Sequence, residues 1–182
     1  MVTAIEVWNF LWKSNSILSW IVNIILAFII VKFLILPGIG LAFGTDYPIV
    51  VVMSGSMEHD FKYDSWWVNY GQYYENLSIT KTEFEDFKFS NGFNKGDLMI
   101  VVGKDKYVPG DVIIFQAAEI APLIHRIVSV ENETYTTKGD HNLGSRNDEV
   151  GITQNRVYGK AVLRIPYLGW IKLLFVELLR GV

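Results

Sequence analysis

The chain has 182 residues, no cysteine and a formal net charge of −3, with a pI near 5.6. The missing thiols exclude disulfides, thiolate catalysis and Cys-ligated zinc, and the acidic balance offers no basic footprint for nucleic acid. Hydrophobic residues make up 51% of the chain and mean hydropathy is +0.25, so a membrane segment beside one folded domain is expected.

The first element read from the N-terminus is that segment. Ile17 to Leu36 is apolar apart from Ser19, Asn23 and Lys32. As a helix it spans about 30 Å, the thickness of a hydrocarbon core. Trp8, Trp12 and Trp20 lie at one end like an aromatic belt, and Lys32 lies near the other, where its stem can snorkel. The stretch is too long for the apolar core of a cleavable signal peptide. Pro37-Gly38-Ile39-Gly40 is expected to break the helix and begin a linker.

Pro48 to Met53 is a β-branched run that predicts a buried strand leading into Ser54-Gly55-Ser56-Met57-Glu58. Residues 61–93 differ in character, mixing aromatics with charge, and are expected to form an insertion folded against the main body. Packing is the favoured role for those aromatics, ahead of substrate or lipid contact. From Gly96 the chain reads as strands: Asp97 to Gly103, Val112 to Phe115, Leu123 to Val130, Thr134 to Lys138 and Val157 to Ile165. A polar loop, His141 to Gly151, interrupts them. Short strands between turn signals predict a mainly β fold, a small antiparallel barrel or sandwich. Tyr167 to Leu179 is apolar but too short to span. With Lys172, Glu177 and Arg180 on one side of a helical wheel, it suits an interfacial helix or one docked on the domain.

Candidate chemistry centres on Ser56, which follows a buried strand in a turn that Gly55 is expected to permit. Its own N–H and the Ser54 hydroxyl could face an oxyanion. The bland reading is a strand-ending turn. A serine nucleophile needs an imidazole in reach and a group to hold its tautomer. His125 lies on an apolar strand, where a histidine is more often a core residue. His59 sits in a Glu-His-Asp run that looks solvated, and His141 lies in the polar loop. Asp140 and Asp148 bracket that loop, and either could take the second N–H of His125. No histidine pair has metal-ligand spacing, and phosphate and dinucleotide motifs are absent, so no metal or cofactor is expected. Two exposed-type sequons, at Asn76 and Asn132, would place the β domain outside the cytosol if used.

Taken in order, Ser54-Gly55-Ser56-Met57-Glu58 after an anchor, Asn94-Lys95-Gly96-Asp97, Pro109-Gly110-Asp111-Val112-Ile113, His125-Arg126-Ile127, and Lys138-Gly139-Asp140 followed by Asn147-Asp148 resemble type I signal peptidases over roughly residues 15 to 165. Bacterial members use a serine and a lysine. A histidine on the matching strand makes this chain similar to the branch of archaea and the endoplasmic reticulum. The resemblance implies Ser56 as nucleophile, His125 as base and Asp148 as the third member, with Asp140 in support and Ser54 assisting the oxyanion hole. It implies a membrane-bound serine endopeptidase that cuts signal peptides from secretory preproteins after small residues. Membrane lipid and the translocon are the further partners. The implied layout is a cytosolic N-terminus and anchor (1–45), an extracytoplasmic β catalytic domain (46–166) and a C-terminal interfacial segment (167–182). Two features depart from the family pattern: His59 stands where a proline usually follows, and the 61–93 insertion replaces a nearly direct passage to the Gly-Asp strand. The rival readings are a single-pass protein whose β domain binds a partner through the aromatic insertion, and a general membrane serine protease.

Overall fold

The computed structural model of the chain describes residues 3–60, 62–118 and 121–180. It divides into two compact units, Met1–Ala42 and Phe43–Val182.

The first unit is helical. α1 (Ala4–Lys13) starts at a capping box in which Thr3 and Glu6 exchange bonds. α2 (Ile17–Ile30) starts at Ser16, which caps Ser19 N–H. The two polar residues that interrupt α2 are used: Ser19 Oγ donates to Phe10 O at 2.6 Å and Asn23 Nδ2 to Leu11 O at 2.8 Å. They satisfy carbonyls of the last turn of α1, which would otherwise lack partners. The helix does not end before Pro37 as the sequence predicts. It passes through a π turn, Val31–Ile35, into α3 (Leu36–Phe43). Proline has no N–H and crowds the carbonyl four residues back. A widened turn, marked by Leu36 N–H on Val31 O, gives Pro37 room without breaking the helix. Ile17–Phe43 is thus one helix of 27 residues, long and apolar enough to cross a membrane.

The second unit is built on a seven-stranded sheet. Its strands are β1 (Ile49–Val51), β2 (Leu98–Val102), β3 (Val112–Phe115), β4 (Leu123–Glu131), β5 (Thr134–Lys138), β6 (Ile152–Thr153) and β7 (Val157–Ile165). They lie in the order β1-β2-β7-β3-β4-β5-β6, and every neighbouring pair is antiparallel. The mainly β class read from the sequence is therefore correct. β3 is buried on both faces, and its period of two splits it between two cores. Val112 and Ile114 join Val52, Met57, Phe93, Met99, Val101 and Ala161, while Ile113 and Phe115 join Tyr107, Ile127, Tyr135 and Ile152. β1 is not the buried strand expected: it is an edge, paired only with β2, and Ile49 is 39% exposed.

The aromatic-rich segment is helical. Phe61, where it was expected to begin, lies outside the described residues. α4 (Tyr63–Asn76) and α5 (Lys81–Glu85, opened by a Thr80–Glu83 capping box) bury Trp66, Trp67, Tyr74 and Phe84 against Val128 of β4. These rings serve packing, as favoured above, and they are not a free contact surface. α6 (Trp170–Arg180) docks through buried Leu173, with Lys95 over the Trp170 ring at 5.8 Å. Ile171, Leu174, Phe175 and Leu178 form an exposed stripe at helical spacing. Lys172 and Glu177 are exposed as expected; the Arg180 side chain lies outside the described ones.

One backbone approach has no slack. Gly103 N–H donates to Phe43 O at 2.8 Å, and a Cβ on Gly103 would lie 1.9 Å from Gly44 O. Gly103→Ala is expected to destabilise this unit by about 1–3 kcal/mol, as overpacking does. Urea unfolding in detergent, followed by tryptophan fluorescence, would register the loss as a lower midpoint.

Candidate active site

Ser56 stands on a segment tied down on both sides. Val52 N–H donates to Asp97 O and Val52 O accepts from Gly96 N–H, each at 2.9 Å, which carries the chain out of β1. One residue past the serine, Met57 is fully buried, a contribution of roughly 1.5–3 kcal/mol that pins the turn to the core. Met57 O also accepts from Phe93 N–H at 3.0 Å. Gly55 is not in the left-handed region, contrary to the expectation that it supplies an unusual backbone. Its Cβ would meet the Glu58 carboxylate, at 2.9 Å, which accepts from Lys95 N–H.

β4 presents His125 and Arg126 on opposite faces. His125 is 3% exposed, and its Nε2 lies 2.8 Å from Ser56 Oγ. Its Nδ1 is paired with Glu149 Oε1. A carboxylate only accepts, so Nδ1 carries the proton and Nε2 is left to accept from the serine hydroxyl. Glu149 is fully buried and further satisfied by Thr137 Oγ1 at 3.3 Å and Arg146 N–H at 2.9 Å. A hydroxyl, an imidazole and a buried carboxylate thus stand in hydrogen-bond sequence, the order that a nucleophile, a base and an orienting acid require.

The acid expected at this position, Asp148, is elsewhere. Asn147–Glu149 is a single 3₁₀ turn, whose successive side chains point about 120° apart, so only one of two adjacent acids can face His125. Asp148 turns outward, pairs with Arg146 at 3.0 Å and accepts from Ala118 N–H at 3.2 Å. Glu149 was missed. The only signal for it was its place beside an aspartate in the polar loop.

Asp140 is fully buried behind the site and does not touch His125. It accepts from Arg126 Nε at 3.0 Å and Nη2 at 2.7 Å, from Tyr74 Oη at 2.8 Å and from His59 Nε2 at 3.2 Å. Arg126 spends its remaining donors on Lys88 O, Gly110 O and Phe89 O. Burial by itself would raise the Asp140 pKa, but Arg126 and the bond from His59 hold it well below the usual carboxylate range. His59 is not solvated as expected. Its side chain is 2% exposed and stacks on Trp66 with centroids 3.7 Å apart and planes 10° apart. Beside Asp140, burial pushes the Lys138 ammonium down to about 8.

Loop 139–146 connects this network to Ser56 and His125. His141 N–H donates to Ser56 O at 2.8 Å. Gly139 passes so close that a Cβ would lie 2.8 Å from Ser56 O and 2.9 Å from His125 Nε2. His141 itself bonds Glu58 O through Nδ1 at 3.2 Å. Ser54 Oγ lies 3.3 Å from Ser56 Oγ, and the Ser56 N–H has no acceptor among the described residues.

No protein-family model matches the chain. Its sequence is similar to the signal peptidase complex catalytic subunit SEC11 of Komagataella phaffii, 24% identical over 165 residues, 80% of this chain and 76% of that protein. The SEC11 of Colletotrichum graminicola is 23% identical over 158 residues, 80% of this chain and 73% of that protein. The SEC11 of Lodderomyces elongisporus is 23% identical over 142 residues, 71% and 66% of the two chains. The homologues of this chain are signal peptidase catalytic subunits. The resemblance read from the ordered motifs is therefore correct. Of the two branches that a histidine base points to, these three relatives lie in the eukaryotic one, and none of them is archaeal.

The Arg126–Asp140 pair has a calculable pH signature. A depressed folded pKa stabilises the protein above the unfolded value near 4 and loses that contribution as pH falls below it. Asp140→Asn leaves Arg126 as an uncompensated buried charge and is expected to cost about 3–5 kcal/mol at pH 7. Urea unfolding of wild type and variant at pH 7 and pH 3 should show the gap narrowing in acid.

Proposed function

We propose that this chain is a membrane-anchored serine endopeptidase that removes signal peptides from secretory preproteins. The observation that carries the reading is the hydrogen-bond sequence Ser56–His125–Glu149 in a chain whose relatives are signal peptidase subunits. Ser56 Oγ attacks the scissile carbonyl while His125 Nε2 takes its proton. Glu149 keeps the imidazole in the required tautomer and offsets the charge it gains. The Ser56 N–H and the Ser54 hydroxyl face the developing oxyanion, each such donor contributing about 3 kcal/mol. His125 then protonates the leaving amine, and water cleaves the acyl-enzyme by the reverse path.

The sheet edge suggests how a preprotein is held. Pro48 and Val52 direct main-chain groups toward β2, so by alternation Val51 and Met53 direct theirs to the free side. An extended segment can add there as a further strand and run past Ser56. The 27-residue helix serves as the anchor, with the N-terminus cytosolic and the β unit across the bilayer. The exposed stripe of α6 rests on lipid. Holding enzyme and substrate in one bilayer favours their encounter. The aromatic insertion is spent on internal packing, which counts against a partner-binding module. Selection of small residues before the cut and delivery by a translocon follow from the family resemblance.

With a preprotein in detergent micelles, Ser56→Ala and His125→Ala are expected to abolish cleavage. Glu149→Gln should lower kcat roughly 100-fold or more, while Asp148→Asn stays within a few-fold of wild type. A greater loss at Asp148 would reverse the assignment of the acid. N-terminal sequencing of the product separates a signal peptidase, with one cut after the signal helix, from a general protease with scattered cuts.

A further inference from the structure

α4 carries Tyr70, Tyr73 and Tyr74, spaced so that they share one face of the helix. Each hydroxyl reaches a different residue of loop 139–146. Tyr74 Oη donates to Asp140 Oδ1 at 2.8 Å, Tyr70 Oη lies 3.3 Å from His141 Nε2, and Tyr73 Oη lies 2.8 Å from Ser145 Oγ. Lys138, which enters the loop, holds its ammonium over the same three rings, 4.6 Å from the centroid of Tyr74, 5.4 Å from Tyr73 and 5.8 Å from Tyr70. One helix face is thus directed at one segment.

That segment has no helix or strand of its own, and its two ends hold catalytic groups. At one end His141 N–H holds Ser56 O; at the other Arg146 N–H holds the Glu149 carboxylate. Arg126 and His59 fix the loop at Asp140, and beyond that point an irregular segment has only such cross-links to keep it in place. A small displacement would move the acid and the nucleophile relative to His125, and reaction rate is sensitive to such displacements.

We propose that Tyr70, Tyr73 and Tyr74 are positioning residues, and that α4 acts as a clamp on the loop that sets the distance between Ser56, His125 and Glu149. The proposal rests on the peptidase reading above. None of the three touches a reacting atom, so their effect runs through the loop.

Tyr74 is fully buried against Asp140, and its loss would also disturb folding. The Tyr73–Ser145 bond is half-buried and suits a cleaner test. Tyr73→Phe and Ser145→Ala are each expected to lower kcat for a preprotein about 3- to 10-fold, the effect of one hydrogen bond, with KM within twofold and melting temperature nearly unchanged. The double variant should be no slower than either single one, because both remove the same link. Amide exchange at His141 and Arg146 should accelerate in Tyr73→Phe. Wild-type kcat in the single variants, additive losses in the double, or a loss that follows melting temperature would overturn the clamp. If the wild-type chain cleaves no preprotein, the peptidase reading fails, and the exchange rates alone still decide whether α4 holds the loop: unchanged exchange overturns it.

Discussion

The buried carboxylate of Asp140 is the interaction on which the site depends. It brings together groups from four parts of the chain: Arg126 on β4, Tyr74 on α4, His59 just past the nucleophile turn, and its own loop. A charge in this position is tolerable only because each oxygen accepts more than one bond and a guanidinium forks onto both. With Asp140 fixed, Gly139 is drawn against His125 and His141 against Ser56. The placing of Ser56 against His125 then follows from main-chain contacts as well as from side-chain torsions.

This arrangement divides the work of β4 between its two faces. His125 faces Ser56 and Arg126, the next residue, faces Asp140, so one strand register sets both. Val112↔Arg126 and Ile113↔His125 pair with the most buried strand in the sheet, where slippage by one residue would exchange the two side chains. The apolar cores on either side of β3 forbid that exchange. Hydrophobic patterning is therefore what keeps His125 on the side of Ser56.

The strands were legible because β-branched runs between Gly, Pro and Asp turns leave few alternatives, and β3 and β5 have the predicted limits. Ser56 and His125, which the structure brings within 2.8 Å, were singled out through ordered motifs, although either residue alone read as ordinary. The carboxylate that pairs with His125 was not legible, since Asp148 and Glu149 differ only in which way a 3₁₀ turn points them, and composition carries no such direction. β1 was misread as buried because strand composition reports apolar character, which does not tell an edge strand from a central one. Pro37 was misread as a stop because a proline signal does not reveal whether the helix can widen to accept it. His59 looked solvated because it lies between two acids; the aromatic partner that buries it is seven residues further on.

His59 also shows that the two departures from the family pattern are one structural change. The proline usual at this position could neither donate to Asp140 nor stack on Trp66; His59 does both, on opposite sides of the same contact. Trp66 belongs to α4, the helix that the insertion adds. An inserted helix packed behind loop 139–146 needs a joint to the segment that carries Ser56, and a flat ring with a donor at one edge can supply it. The flat face meets the indole and the edge meets the carboxylate. The insertion brings Tyr74 to Asp140 directly and His59 to it through Trp66, so the added aromatic layer converges on the carboxylate that already ordered the loop. Its composition, rich in rings that also carry hydroxyls, follows from two demands met at once, since the same side chains must bury area against β4 and donate toward the loop.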